Sequence, residues 1–168
     1  HIPDLSRDLM ANVLALLYIP LLLGHFVWLR YLSDGQWWVF WLLMVIMAGD
    51  TGAFYAGRTW GKTKLYPEVS PGKTWAGVAG GMAAAVIVGA ALGRWALPSM
   101  SLMGLAGLAL LLAVVGLLGD LFESMLKRQV QVKDTSGLLP GHGGMLDRLD
   151  SLLFAAPLVV YVRLFLIG

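Results

Sequence analysis

Five stretches of this chain, residues 10–32, 37–55, 75–97, 102–122 and 149–167, are almost unbroken apolar runs. Each approaches or exceeds the ~20 residues a helix needs to cross ~30 Å of hydrocarbon. Inside lipid the backbone must satisfy its own hydrogen bonds, so such runs are helices or they do not span at all. Apolar residues make up 58% of the 168 and charged residues only 13%, against about 25% charged in a soluble domain. The expected fold is therefore all-α, a polytopic membrane protein of about five transmembrane helices, with residues 1–168 forming one domain. Pro20 and Pro157 fall inside runs and should kink them. Gly77, Gly80 and Gly81, with Ala79 and Ala83 to Ala85, give the third run a small-residue face suited to close helix packing.

Lys and Arg set the orientation, because they concentrate in loops on the cytoplasmic side. Arg58, Lys62, Lys64 and Lys73 lie between runs two and three; Lys127, Arg128, Lys133 and Arg148 lie between runs four and five. These are eight of the twelve basic residues, while the opposite loops hold Arg30 and Arg94. Two polar loops, 56–74 and 123–148, are thus expected at the cytoplasmic face of an integral membrane protein, the inner membrane if the source is bacterial. A net charge of +2 gives no broad footprint for nucleic acid. The absence of cysteine excludes thiolate metal sites and cysteine nucleophiles. The chain opens on His1 and carries no signal-peptide pattern, so it is expected to be part of a longer protein.

A charge inside a membrane helix is costly and marks a functional candidate. Asp50 lies well inside the second run among small residues, and Asp120 ends the fourth, with Glu123, Ser124 and Lys127 following at helical spacings. Beyond them, Thr135 to Gly144 is too rich in glycine and turn formers for helix. Glycines let backbone N–H groups converge on an anion. That loop runs into a helix near Met145, whose N-terminus favours phosphate and which carries Asp147 and Asp150 at i and i+3 with Arg148 between them. Carboxylates, basic side chains and a glycine-rich loop together suit a hard cation and phosphates. The stretch Ala56 to Thr63 mimics a phosphate-binding P-loop, but such a loop needs a preceding strand, and here a membrane run precedes it.

Ser124, Lys127, Arg128, Lys133, Asp134, Pro140, His142, Gly143, Gly144, Asp147, Arg148 and Asp150 fill an extended pattern, S-x-x-K-R, four residues, K-D, then P-x-H-G-G-x-x-D-R-x-D. This closely resembles the signature of the CDP-diacylglycerol synthases, or phosphatidate cytidylyltransferases. Asp50 to Ala53 running on to Gly57 and Arg58, and Ser70 to Gly77, also look like that family, which often has other residues at Gly72 and Ala76. The likeness covers about residues 48 to 150, and members are usually longer at the N-terminus, again implying the C-terminal catalytic part of a longer protein.

The resemblance implies transfer of CMP from CTP to phosphatidate at the lipid bilayer, with Mg²⁺ as cofactor and room for a second metal ion. Asp120 and Asp147 are the expected metal ligands, assisted by Glu123 and Asp150. Lys127, Arg128 and Arg148 would act on phosphates and His142 would shape the loop. Asp50, Ser70, Lys73, Thr74, Ser124, Lys133, Asp134, Gly143 and Gly144 would bind substrate. A homodimer is compatible with this reading. The rivals are a CTP-dependent polyprenol or phytol kinase and, from another class, an ion-coupled transporter using Asp50 and Asp120.

Overall fold

The computed structural model describes residues 2–129 and 146–167. Five helices account for most of them: α1 (Ile2–Tyr31), α2 (Gly35–Trp60), α3 (Trp75–Ala96), α4 (Leu102–Gln129) and α5 (Leu146–Val162), the last continuing into a π-helical turn, Arg163–Ile167. Among the described residues, four segments are long and apolar enough to cross a membrane: Gly35–Trp60, Trp75–Ala96, Leu102–Gln129 and Leu149–Leu166. The protein is an all-α polytopic membrane protein. α1 and α5 run on as helix through Pro20 and Pro157.

Two helices outrun their apolar stretches. The apolar runs stop near residues 55 and 122, yet α2 continues to Trp60 and α4 to Gln129. At 1.5 Å per residue their 26 and 28 residues reach roughly 39 and 42 Å, so each stands about two turns beyond a ~30 Å hydrocarbon layer. Hydropathy marks where lipid ends, whereas helix ends depend on local pairing. In α4 the pairing comes from Glu123 and Lys127 at i,i+4.

The segment joining α2 to α3, expected as a loop, contains a β-hairpin. β1 (Lys64–Tyr66) pairs antiparallel with β2 (Ser70–Thr74), Lys64 opposite Thr74 and Tyr66 opposite Ser70, with an irregularity between the pairs. Trp75 N–H donates to Thr63 O and prolongs the pairing into the first residue of α3. Thr74 then caps α3: its buried hydroxyl oxygen accepts from Gly77 N–H at 3.1 Å, an interaction typically worth ~1 kcal/mol. The P-loop mimic is the end of α2 followed by an irregular turn, with no strand before it.

α2 is the central helix and touches all four others. Trp41, Leu42 and Val45 are completely buried, packed with Leu105, Ala109 and Leu112 of α4 and Ala155, Ala156 and Val159 of α5. Trp41 Nε1 donates to Gly89 O of α3 at 2.7 Å, a bond in a place where no water can replace it. Towards the polar end α2 and α3 approach backbone to backbone. A Cβ on Gly52 would lie 2.5 Å from Ala84 Cβ and 2.7 Å from Gly80 O, and one on Gly81 would lie 2.9 Å from Gly49 O. The small-residue face expected on the third run is this interface. On α1, His25 stacks obliquely with Trp28 and with Tyr161 of α5, closing the bundle on its other side.

This contact yields a direct expectation. Gly52→Ala must push α2 and α3 apart and should destabilise by about 1–3 kcal/mol, as overpacking does. Gly107→Ala, on α4 where an added Cβ meets nothing within 4 Å, should be neutral or slightly stabilising. Thermal unfolding of the two variants in detergent compares them.

Candidate active site at the polar end of the bundle

On α2, Asp50, Phe54 and Gly57 recur at helical spacing and face α3 and α4, with Gly61 just past the helix end. Ala113, Gly116, Leu117 and Asp120 do the same on α4. Between them opens a cavity of about 680 Å³, with Gly77, Gly81 and Met82 of α3 on a further side. The hairpin supplies its polar rim through Lys64, Gly72 and Lys73. The walls deeper in the bundle are apolar, including Val45, Ile46 and Leu117, so one chamber joins a charged mouth to a greasy interior.

Asp120 is the best-connected acid at the mouth. Lys73 forms an ion pair with its Oδ2, and Ser124, one turn on, donates to Oδ1 at 3.4 Å. Both partners of the ion pair are mostly shielded, with side chains 18% and 35% exposed. Asp50 and Asp150 lie near enough to feel the charges of Asp120 and Lys73. The α4–α5 crossing explains this grouping. Gly119 has no side chain, and a Cβ there would stand 2.8 Å from Asp150 O, so α5 lies directly on α4 beside Asp120.

Behind Asp120, Glu123 is 1% exposed. Lys127 Nζ stands 3.4 Å from its Oε1, and Asp150 of α5 lies close enough for the two carboxyl groups to influence each other. Asp150 Oδ1 accepts from Ser151 N–H at 2.6 Å. Carboxyl groups in such contact repel unless a proton or a cation is shared between them. Tyr18, Phe122 and Phe154, with ring centroids 5.6–5.8 Å apart, wall this cluster off on the α1 side.

Of the residues expected in the site, Asp50, Lys73, Thr74 and Asp120 line the cavity, and Ser124, Glu123, Lys127 and Asp150 stand around or behind Asp120. Thr74 spends its hydroxyl oxygen on capping α3. Ser70 opens β2 away from the cavity lining. Arg128 turns aside, its Nε donating to Val69 O in the hairpin turn at 3.2 Å. Lys133, Asp134, His142, Gly143 and Gly144 lie outside the described residues, as do the side chains of Asp147 and Arg148 in the first turn of α5. Among the described residues no three His, Cys, Asp or Glu side chains converge as a metal-holding group.

The cavity also recruits Arg58, Lys64 and Ser151, which the sequence reading gave no site role. The signal for Arg58 was its position two turns after Asp50 on the same helix. Ser151 follows the signature's last aspartate and is carried into the wall by α5.

Residues 4–166 match the cytidylyltransferase family. The chain is 41% identical over 150 residues to a phosphatidate cytidylyltransferase of Bacillus subtilis, covering 89% of this chain and 56% of that protein. It is 39% identical over 137 residues to one of Haemophilus influenzae, covering 79% and 48%. To one of Helicobacter pylori it is 45% identical over 126 residues, covering 75% and 47%. The chain spans about half the length of these relatives. A match that runs through all five helices, together with this level of identity, establishes that the chain belongs to the cytidylyltransferase family.

Proposed function

We propose that the full-length protein transfers CMP from CTP to phosphatidate, releasing pyrophosphate and forming CDP-diacylglycerol, with the site open to the cytoplasm. The observation that carries the reading is the single chamber whose mouth holds Lys73, Asp120, Arg58 and Lys64 and whose depth is apolar. An amphiphile with an anionic head matches both halves, and the family match supplies the nucleotide chemistry. A phosphomonoester has a second pKa of about 6, so the lipid phosphate reaches neutral pH already charged and needs no strong base.

In this reading an oxygen of the lipid phosphate forms a bond to the α-phosphorus of CTP while the bond from that phosphorus to the bridging oxygen breaks. The electron pair leaves with pyrophosphate. The work for the protein is to bring two polyanions together and hold the charge that develops. Lys73 and Lys127 from the described residues, with Lys133 and Arg148, would bind phosphate oxygens. Asp50 and Asp120 line the chamber, with Glu123 and Asp150 beside them, and hard oxygen donors of this kind fit Mg²⁺. Asp120 and Asp147 would hold it, with Glu123 and Asp150 adjacent. When bound, such a cation polarises phosphate oxygens and neutralises the leaving group. Lys73, paired with Asp120 at the cavity mouth, stands where it would meet the phosphates of the nucleotide.

Two experiments test this reading. Full-length protein incubated with Mg²⁺, phosphatidate and CTP labelled at the α-phosphate should place label in the lipid; label entering only from the γ-phosphate would establish a kinase instead. Asp120→Asn and Asp147→Asn should each abolish turnover while the proteins elute normally in detergent. Retention of more than about a tenth of the wild-type rate, under about 1.4 kcal/mol of barrier, would remove that residue from the metal. The orientation is checked by single cysteines at Thr63 and Ser99 in sealed vesicles, which should label from opposite sides, Thr63 from the cytoplasmic one.

A further inference from the structure

The hairpin touches α4 at two points whose spacing fixes its course. Lys73 meets Asp120, and the carbonyl of Val69 meets Arg128 Nε. Moving back four residues along the hairpin corresponds to moving forward eight along α4. Four extended residues cover about 13 Å and eight helical residues about 12 Å. The two rises agree, so the Lys73 and Arg128 side chains tie the hairpin to the polar extension of α4 at two levels, the hairpin segment running opposite to the helix. Val69 is 9% exposed and seats the turn against the protein. Lys73 has a long, flexible stem, and nothing in its own sequence holds it over the cavity. The strand that carries it does.

We propose that Arg128 is a positioning residue, which by gripping the Val69 carbonyl fixes the hairpin along α4 and thereby sets Lys73 at the cavity mouth against Asp120. This rests on the CMP-transfer reading and assigns Arg128 a role distinct from phosphate binding. Its Nε points to a backbone carbonyl rather than into the cavity, and Arg128 is not among the residues lining it. The planar guanidinium suits this tether, since Nε has a fixed direction and the two terminal nitrogens stay available to solvent. The two anchors are independent: were the Lys73–Asp120 pair to open, the Arg128 end would still hold the hairpin and keep Lys73 within reach of the cavity.

The test uses the full-length protein in lipid nanodiscs, with other cysteines replaced and a nitroxide attached at Glu68→Cys, an exposed position in the hairpin turn. Arg128→Gln should convert a restricted nitroxide spectrum into a mobile one. Arg128→Lys keeps the charge but lacks Nε and should do the same, which also covers the case in which the glutamine variant does not fold. In parallel, CMP transfer is measured for Lys73→Met, Arg128→Gln and the double variant. Loss of a positioned group costs on the order of a hundredfold, and a residue acting only through Lys73 adds nothing once Lys73 is gone, so the double variant should be no slower than Lys73→Met alone. An unchanged nitroxide spectrum overturns the proposal, and so do losses that multiply in the double variant, which would place Arg128 on the substrate. If the wild type transfers no CMP, the function reading fails, and the spectra alone decide whether Arg128 holds the hairpin.

Discussion

The contact between α2 and α3 is the constraint on which the rest depends. Lipid offers no hydrophobic force to press two helices together, so close packing must supply it, and only small residues allow the backbones to meet. Gly49 and Gly52 on one side and Gly80 and Gly81 on the other provide this. Asp50 lies between the two glycines of α2, so the helix turn that packs the bundle also points a carboxylate to the cavity. The hairpin follows from the same contact. Because α2 ends where α3 begins, the chain between Gly61 and Thr74 has almost no distance to cross and can fold back on itself. Farther down, Trp41 and Gly89 hold the two helices together by a directed bond.

Charge in the bundle is arranged in partnerships within and between elements. Lys73 of the hairpin answers Asp120 of α4, Lys127 answers Glu123 along α4, and Asp150 of α5 lies near the same cluster. Removing one member of a shielded pair strands the other, at a cost of several kcal/mol where burial is complete. The polar end is therefore a structural joint as well as the candidate site, and its geometry will respond when one member changes partners.

Much of this was readable in the sequence. Apolar runs of bilayer length identified the spans, the glycine and alanine face of the third run identified its packing surface, and two acids within apolar surroundings marked the cavity. Three features were not readable. The ends of α2 and α4 extend into polar sequence, where hydropathy falls silent but side-chain pairing sustains the helix. The hairpin was hidden because Pro67, Pro71 and Gly72 spell a loop; its strands are short, irregularly paired and held by α4 rather than by β-propensity. The partner of Arg128 was invisible for a plainer reason. It is a backbone carbonyl, and no residue type announces one.

The depth of Asp120 carries one last consequence. It stands eighteen residues into α4, about 27 Å along the axis from Leu102, close to the far edge of a ~30 Å hydrocarbon layer. In the proposed reaction an acid at that level would meet the headgroup of a lipid that is still anchored in its leaflet. Lifting a diacyl lipid with roughly thirty methylenes into water would cost on the order of 20 kcal/mol at ~0.8 kcal/mol each. A chamber whose polar rim coincides with the membrane boundary avoids that cost entirely. In the proposed reaction the water-soluble substrate would make the whole journey, and the lipid would only diffuse sideways.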